Sequence, residues 1–468
     1  MSGWAAGRDP YTLESKRTRG SLDHVEIVLE VDGNLKFPDS GASSTEKKPP
    51  MKATASLSYE EKTLDFSARG GEIVRSVRYY DKADATIQVG DDQFRPTLRD
   101  QRRLIANEID GAKITLFNPS GLLTRDELDL IDFLGNSLVL DGLLPDKPVA
   151  MNDTWKHPDW LMATLCTLDA IGSNDAESSL RLVSGGVANM EMSGRVEGIA
   201  GGLSTSIELK AKYRFDTKTG RITWFALVLK ENRVPGPPGP GLDVVARLQM
   251  KVSPLDKAVH LTEETLRDVK TAATPELRQL HYQSPYGGWA LDHDRRWVLV
   301  QERKETTLLR LVVDGDYIGQ CSISTGSDVA AGKEPTLAKF QEEIRQGLGA
   351  SFGRFAGGQE SKGEAGQRIY RVAVQGEPRQ IPIQWIYYRL TDRSGRQIIV
   401  AFTVKRDLLG RFQKADEELV GGLRFADPKV AANPTPAADG KLPEKPKPVV
   451  EGDGSEKRGG AETQQKED

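Results

Sequence analysis

Asp292-His293-Asp294 sets an imidazole between two carboxylates, the residue types that bind a divalent metal or share general acid and base work. Side chains of consecutive residues on a turn point apart, so a complete site here needs donors from elsewhere in the chain. The bland expectation is a turn with a hydrogen-bonded histidine. His24, His157, His260 and His281 are scattered, with no His-Glu-x-x-His spacing to place two on one helix face. Cys166 and Cys321 have no adjacent histidine or basic cluster to favour a thiolate, so each reads as a small buried hydrophobe. Two cysteines alone close no zinc site.

Other patterns come close to known chemistry and miss it. Gly326 to Glu334 resembles a phosphate loop, but it has one residue too many between its glycines and a glutamate where the magnesium-binding hydroxyl belongs. Gly347 to Gly353 approaches the dinucleotide fingerprint, yet it ends a helical pattern instead of opening one. Ser44-Thr-Glu-Lys47 has Ser-x-x-Lys spacing in a polar stretch where a rigid oxyanion hole is hard to build. Arg95, Arg99, Arg102 and Arg103 form the densest basic run, but Asp91, Asp92 and Asp100 surround it and no aromatic residues interleave it for base stacking. None of these is assigned a catalytic, cofactor-binding or metal role, and no cofactor is expected.

Composition narrows the partners. Lys and Arg number 64 against 68 Asp and Glu, a net charge of −4, so no global field steers a polyanion and nucleic acid is not expected. No window approaches the roughly 18 apolar residues that span a bilayer, so no transmembrane segment is expected.

Hydrophobic periodicity places the elements. At 468 residues the chain is expected to form two domains with tails. Val25 to Val31 and Leu35 to Phe37 across Asp32-Gly33 read as a hairpin. Thr124-Arg-Asp-Glu127 is a capping box, and His157-Pro158 opens a short helix carrying Leu161, Leu165 and Leu168. Ile207, Leu209, Ala211, Tyr213 and Phe215 alternate with charged residues, the mark of a sheet with one buried and one wet face. Glu263 to Thr271 is a plausible connector helix. Leu337, Phe340, Ile344 and Leu348 line a helix ended by Gly349, and Ile381 to Leu390 is apolar on both faces. Leu408, Phe412, Ala415 and Leu419 predict one closing helix.

The pattern Gly288-Trp-Ala-Leu-Asp-His-Asp-Arg-Arg-Trp297, with Gln384-Trp-Ile-Tyr-Tyr388 and Gly395-Arg-Gln-Ile-Ile-Val-Ala-Phe-Thr-Val404, resembles uncharacterised proteins of planctomycete-type bacteria. Leu144-Pro-Asp-Lys-Pro-Val149 with Thr154-Trp155 resembles them too. The resemblance covers most of residues 10 to 425 and implies an exported protein with a leader before Met1. If Met1 is the true start, the chain is cytoplasmic. The second domain more remotely resembles the PsbP-like fold, an accessory scaffold, which transfers no site.

The expected class is therefore α+β. A large curved antiparallel sheet domain (20–255, mobile loop 38–50) is followed by a connector (256–284) and a smaller PsbP-like antiparallel sheet flanked by two helices (285–425). A flexible N-terminus (1–19) and a disordered tail (426–468) complete the chain. The expected function is a non-catalytic accessory or binding protein of the cell envelope that holds an apolar ligand or docks an unknown protein partner. A hydrolase assembled from distant residues and a structural envelope-assembly module are the alternatives.

Overall fold

Thirteen strands form one antiparallel sheet because most of the first 254 residues alternate apolar and polar side chains, and such a segment buries one face at a time. The computed structural model describes residues 10–37, 49–67, 73–236, 239–330, 333, 335–363 and 366–426. The main strand order is Lys113–Phe117, Leu104–Asp110, Val74–Val89, Pro50–Asp65, Leu22–Lys36, Gly241–Pro254, Arg221–Arg233, Leu203–Asp216, Val187–Ala200, Glu177–Ser184 and Thr154–Lys156. Asp92–Phe94 and Ala170–Asn174 pair beside it. Register shifts in the pairs Pro50–Asp65/Val74–Val89, Glu177–Ser184/Val187–Ala200 and Leu203–Asp216/Arg221–Arg233 are β-bulges, which bend a sheet.

The bent sheet packs its apolar face on residues 118–169, called the cover below, of which Thr154–Lys156 pair into the sheet's edge. It contains the helices Arg125–Ile131 and Asp159–Cys166 and the 3-10 segment Ser137–Leu143. The Thr124 hydroxyl and Glu127 carboxylate cap the first helix reciprocally, as the sequence predicts. Leu128, Ile131, Leu138, Leu140, Leu143, Leu161, Met162 and Leu165 of the cover share one core with Ile27, Leu57, Met190, Ile207, Phe225 and Leu248 of the sheet.

Downstream of the connector lies a seven-stranded antiparallel sheet, ordered Trp297–Glu302, Thr307–Val313, Asp316–Thr325, Gln397–Lys405, Ile383–Thr391, Arg368–Gly376 and Arg354–Lys362. A small sheet of Leu280–Gln283, Trp289–His293 and Leu423–Phe425 stands beside it. The helix Leu337–Leu348 covers one face through Phe340 and Ile344, and Phe402 and Phe412 fill the other. No helix among the described residues is long and apolar enough to cross a membrane.

The expected α+β class with two helices flanking a PsbP-like sheet does not hold. Strands take 53% and helices 15% of the structure, so the protein is mostly antiparallel β, in three sheets. The closing helix breaks at Gln413, whose φ of 49° is left-handed, into Leu409–Phe412 and Ala415–Gly421. The break turns Asp416 inward, where its carboxylate accepts hydrogen bonds from the Tyr388 hydroxyl (2.6 Å) and Arg371 (2.9 Å).

Three local readings also change. Asp32-Gly33 is not a turn, and Leu22–Lys36 runs straight through it because a side chain at Gly33 would lie 2.1 Å from the Asp243 carbonyl oxygen. The connector helix shortens to Glu263–Leu266. Residues 10–19, read as part of a flexible start, carry Leu13 and Arg17 into the core. The expected loop at 38–50 and tail at 426–468 lie outside the described residues apart from 49, 50 and 426.

Candidate functional site

The cover crosses the middle of the sheet, and polar contacts beneath it fix its position. Gly135 sits against Leu248 and Phe225, where a methyl group would already meet the Leu248 side chain at 3.3 Å. Tyr213 Oη and Trp155 Nε1 both donate to the Leu143 carbonyl oxygen, at 3.1 and 2.9 Å. Between these polar contacts and the buried network described next, cover and sheet meet through apolar side chains, a contact without direction that matched apolar groups can replace.

One buried ionic network fastens the cover. Arg78 Nε donates to Glu61 (2.7 Å) and its Nη2 to the Asn136 side-chain oxygen (2.6 Å), while the Ser137 hydroxyl donates to Glu61 (2.7 Å). Arg17 Nε donates to Asp141 (3.0 Å), and its Nη1 lies 2.9 Å from Asp23, close enough for charge pairing but misdirected for a hydrogen bond. Asn136, Ser137 and Asp141 belong to the cover, and Glu61, Arg78 and Asp23 to the sheet. Burial works to raise the Glu61 carboxyl, but Arg78, Arg17 and the Ser137 hydroxyl outweigh it and hold Glu61 below the usual range. Burial wins at Asp23, whose carboxyl is raised despite Arg17 and Arg221.

Away from this network, towards the other end of the sheet, the fold brings together a pair that sequence reasoning missed. His157 Nε2 lies 2.7 Å from the Ser178 hydroxyl, and both residues are buried. Burial pushes the imidazole down to about 4, so it is neutral at physiological pH. A neutral histidine beside a serine is half of a nucleophile-and-base arrangement. No carboxylate contacts this imidazole among the described residues, and no path to solvent reaches the hydroxyl, which is 0% exposed. Their separation of 21 residues leaves no local signal in the sequence.

Asp292, His293 and Asp294 each turn to a different partner. Asp292 pairs with His281 Nδ1 (2.7 Å) and with Arg424, His293 Nδ1 meets the Asp294 carbonyl oxygen (2.9 Å), and Asp294 binds Arg296 (3.0 Å). Burial lowers the His293 imidazole. At Asp292 the raising effect of burial is outweighed by His281 and Arg424, so its carboxyl is lowered. Among the described residues no three of His, Cys, Asp and Glu gather so as to hold a metal ion.

The other candidates are structural. Arg99 grips Glu127 with two nitrogens, Arg102 donates to the Leu122 carbonyl and Arg103 to Asp100, while Arg95 contacts Gln93. A polar hollow of about 290 Å³ opens beside this run, lined in part by Asp81, Lys82, Asp84, Asp100 and Arg103. His260 stacks on Tyr79 and meets Asp81 at 3.1 Å, and His24 meets the Ser58 hydroxyl at 3.3 Å. Cys166 and Cys321 are buried, which pushes the Cys166 thiol up to about 12 and Cys321 upward too. Gly326 and Val329 hydrogen-bond to Gln397 and Gly395, while 331, 332 and 334 lie outside the described residues, as do Ser44 to Lys47. Gly349 ends its helix as expected.

No family model matches the chain. No curated protein matches it in sequence. A remote structural resemblance covers about a third of it. A Bacteroides thetaiotaomicron crystal structure shares 13% identity over 32% of this chain at a TM-score of 0.24, and the chain spans about half (49%) of that protein's length. Cyanobacterial PsbP (CyanoP) from Synechocystis sp. PCC 6803 shares 12% identity over 32% of this chain and 92% of its own, at 0.24. The Ran-binding protein Mog1p of Saccharomyces cerevisiae shares 7% over 32% and 97%, at 0.26. Likeness at these scores fixes no role for this chain.

Proposed function

We propose that the protein is a non-catalytic binding protein that takes an apolar ligand between its large sheet and the cover, in the cell envelope. The carrying observation is the make-up of the cover: three short helical pieces with apolar inner faces, fastened by the Arg17, Asp23, Glu61, Arg78 and Asp141 network. Lifting such a cover exposes apolar side chains worth roughly 2 kcal/mol each. An acyl chain of about fifteen methylenes entering the same space returns roughly 12 kcal/mol, at about 0.8 kcal/mol per methylene, so it offsets the exposure of about six such side chains.

Native mass spectrometry after detergent-free purification tests this reading. A stoichiometric lipid on the intact chain supports it. Turnover of a common ester, phosphate or glycoside substrate by the purified protein overturns it.

A further inference from the structure

The cover leaves the large sheet after Phe117, pairs with its edge through Thr154–Lys156 and continues into the strand Ala170–Asn174, and the connector's last strand and the second domain touch the molecule near its start and its end. At the first, the His281 amide donates to the Leu123 carbonyl oxygen (2.8 Å), and Leu123 and Leu280 form a parallel bridge. Arg125, the first residue of the cover's first helix, donates to the Arg295 carbonyl oxygen (2.9 Å). Arg295 in turn donates to the carbonyl oxygens of Leu116 and Arg278, both at 2.6 Å.

At the second, two hairpin tips meet glycine to glycine. A side chain on Gly202 would lie 2.6 Å from the Gly315 Cα, a separation that leaves room for no side chain. The Gly202 amide donates to the Asp169 carboxylate (3.4 Å), and the Asp169 amide donates to the Ile199 carbonyl oxygen (2.7 Å). Asp169 is the last residue of the cover, immediately before the strand Ala170–Asn174. The tip that receives the second domain is thus also the tip that anchors the end of the cover.

We infer that the second domain is a strap that fastens both ends of the cover, so that release of the strap loosens the cover from the sheet. The cover is held at its middle by the buried network and at Thr154–Lys156 by the sheet edge, while its start contacts Arg295 and its end, Asp169, is hydrogen-bonded to the Gly202 tip that the second domain meets. The inference rests on the proposed function for its purpose, while its mechanical content stands apart from any ligand.

The test pairs Gly202→Asn with Arg295→Ala. Gly202 has a φ of 77°, which asparagine tolerates better than most residues, while its Cβ still collides with Gly315. Gly201→Asn is the control, since its φ is 57° and nothing lies within 4 Å of a side chain there. Hydrogen exchange should quicken at least tenfold across residues 124–166 in the paired variant, with residues 207–215 of the sheet still slow and the radius of gyration enlarged in solution scattering. Gly201→Asn should match the wild type. If the paired variant also exposes 207–215, Gly202→Asn alone is read in its place. Unchanged exchange in the cover, or domains that do not separate, overturns the strap. A loosened cover that takes up no fluorescent fatty acid leaves the strap standing and retires the apolar-ligand reading.

Discussion

Arg295, on the turn between Trp289–His293 and Trp297–Glu302, donates a hydrogen bond from Nη2 to the carbonyl oxygen of Leu116, 179 residues earlier and 2.6 Å away. Leu116 lies in Lys113–Phe117, the strand at one edge of the large sheet, where one row of backbone groups has no neighbouring strand. Arg295 follows Asp292, His293 and Asp294, the triplet that the sequence singles out for chemistry, and the turn carrying them is a docking element between domains. Arg295→Ala should leave two acceptors without this donor and cost about 1–3 kcal/mol. Calorimetry should then show the two domains melting further apart, whereas Arg296→Ala, which loses an exposed pair with Asp294, should shift melting little. Equal shifts for the two variants would contradict this assignment.

The Arg78 and Glu61 side chains are 1% and 0% exposed. Removing one partner of such a pair strands a buried charge, so Arg78→Ala should cost about 3–5 kcal/mol in urea unfolding. Lys251→Ala, which breaks an exposed pair with Glu26, should cost below about 1 kcal/mol. A small effect at Arg78 would show that the network does not fasten the cover.

His157 gives the stability a pH dependence of known sign. Its imidazole is depressed from the ordinary value of 6.5 to about 4, so the unfolded chain binds a proton that the folded one refuses. Stability from this group is fully present above about 6.5 and falls as pH drops towards 4, by roughly 3 kcal/mol at 1.36 kcal/mol per pH unit. Glu61 adds loss at lower pH, because a carboxyl held below its usual range gives up its contribution only as pH falls through its folded value. Raised carboxyls at Asp132 and Asp23 act with the opposite sign, so the test is the difference: between about pH 6.5 and 4 the urea midpoint of His157→Gln should fall less, or rise more, than that of the wild type as pH drops. An unchanged slope in the variant would contradict a buried neutral His157.

Local order is what the sequence made legible. Thr124 and Glu127 sit three residues apart, and the alternation from Ile207 to Phe215 repeats every second residue, so both follow from neighbours along the chain. The site did not, because its pairs join distant segments: Arg17 with Asp141 across 124 residues and His157 with Ser178 across 21. The same limit explains the closing helix. Its 4-3-4 spacing of apolar residues reads as continuous, while the inward turn of Asp416 depends on Arg371 and Tyr388 in other strands. Gly33 misled in a similar way, since a glycine chosen for close approach of a neighbouring strand looks in sequence like one chosen for a turn.

Gly33→Ala measures that close approach. A methyl group there would lie 2.1 Å from the Asp243 carbonyl oxygen and 2.6 Å from the Val244 Cα, so the strands must part. The expected loss is about 1–3 kcal/mol, the range for overpacking. Gly185→Ala has open space around it but a φ of 58°, and should lose only the roughly 1–2 kcal/mol of a left-handed non-glycine residue. A Gly33→Ala variant as stable as the wild type would mean that Leu22–Lys36 does turn at Asp32-Gly33.

The most direct measurement of the central claim is native mass spectrometry of the intact chain before and after incubation with vesicles of phosphatidylglycerol and oleic acid. The account predicts one lipid or fatty acid per chain, retained through gel filtration and accompanied by slower hydrogen exchange across residues 124–166 as the ligand replaces cover contacts. A chain that shows only its own mass after incubation, with exchange in the cover unchanged, would contradict it.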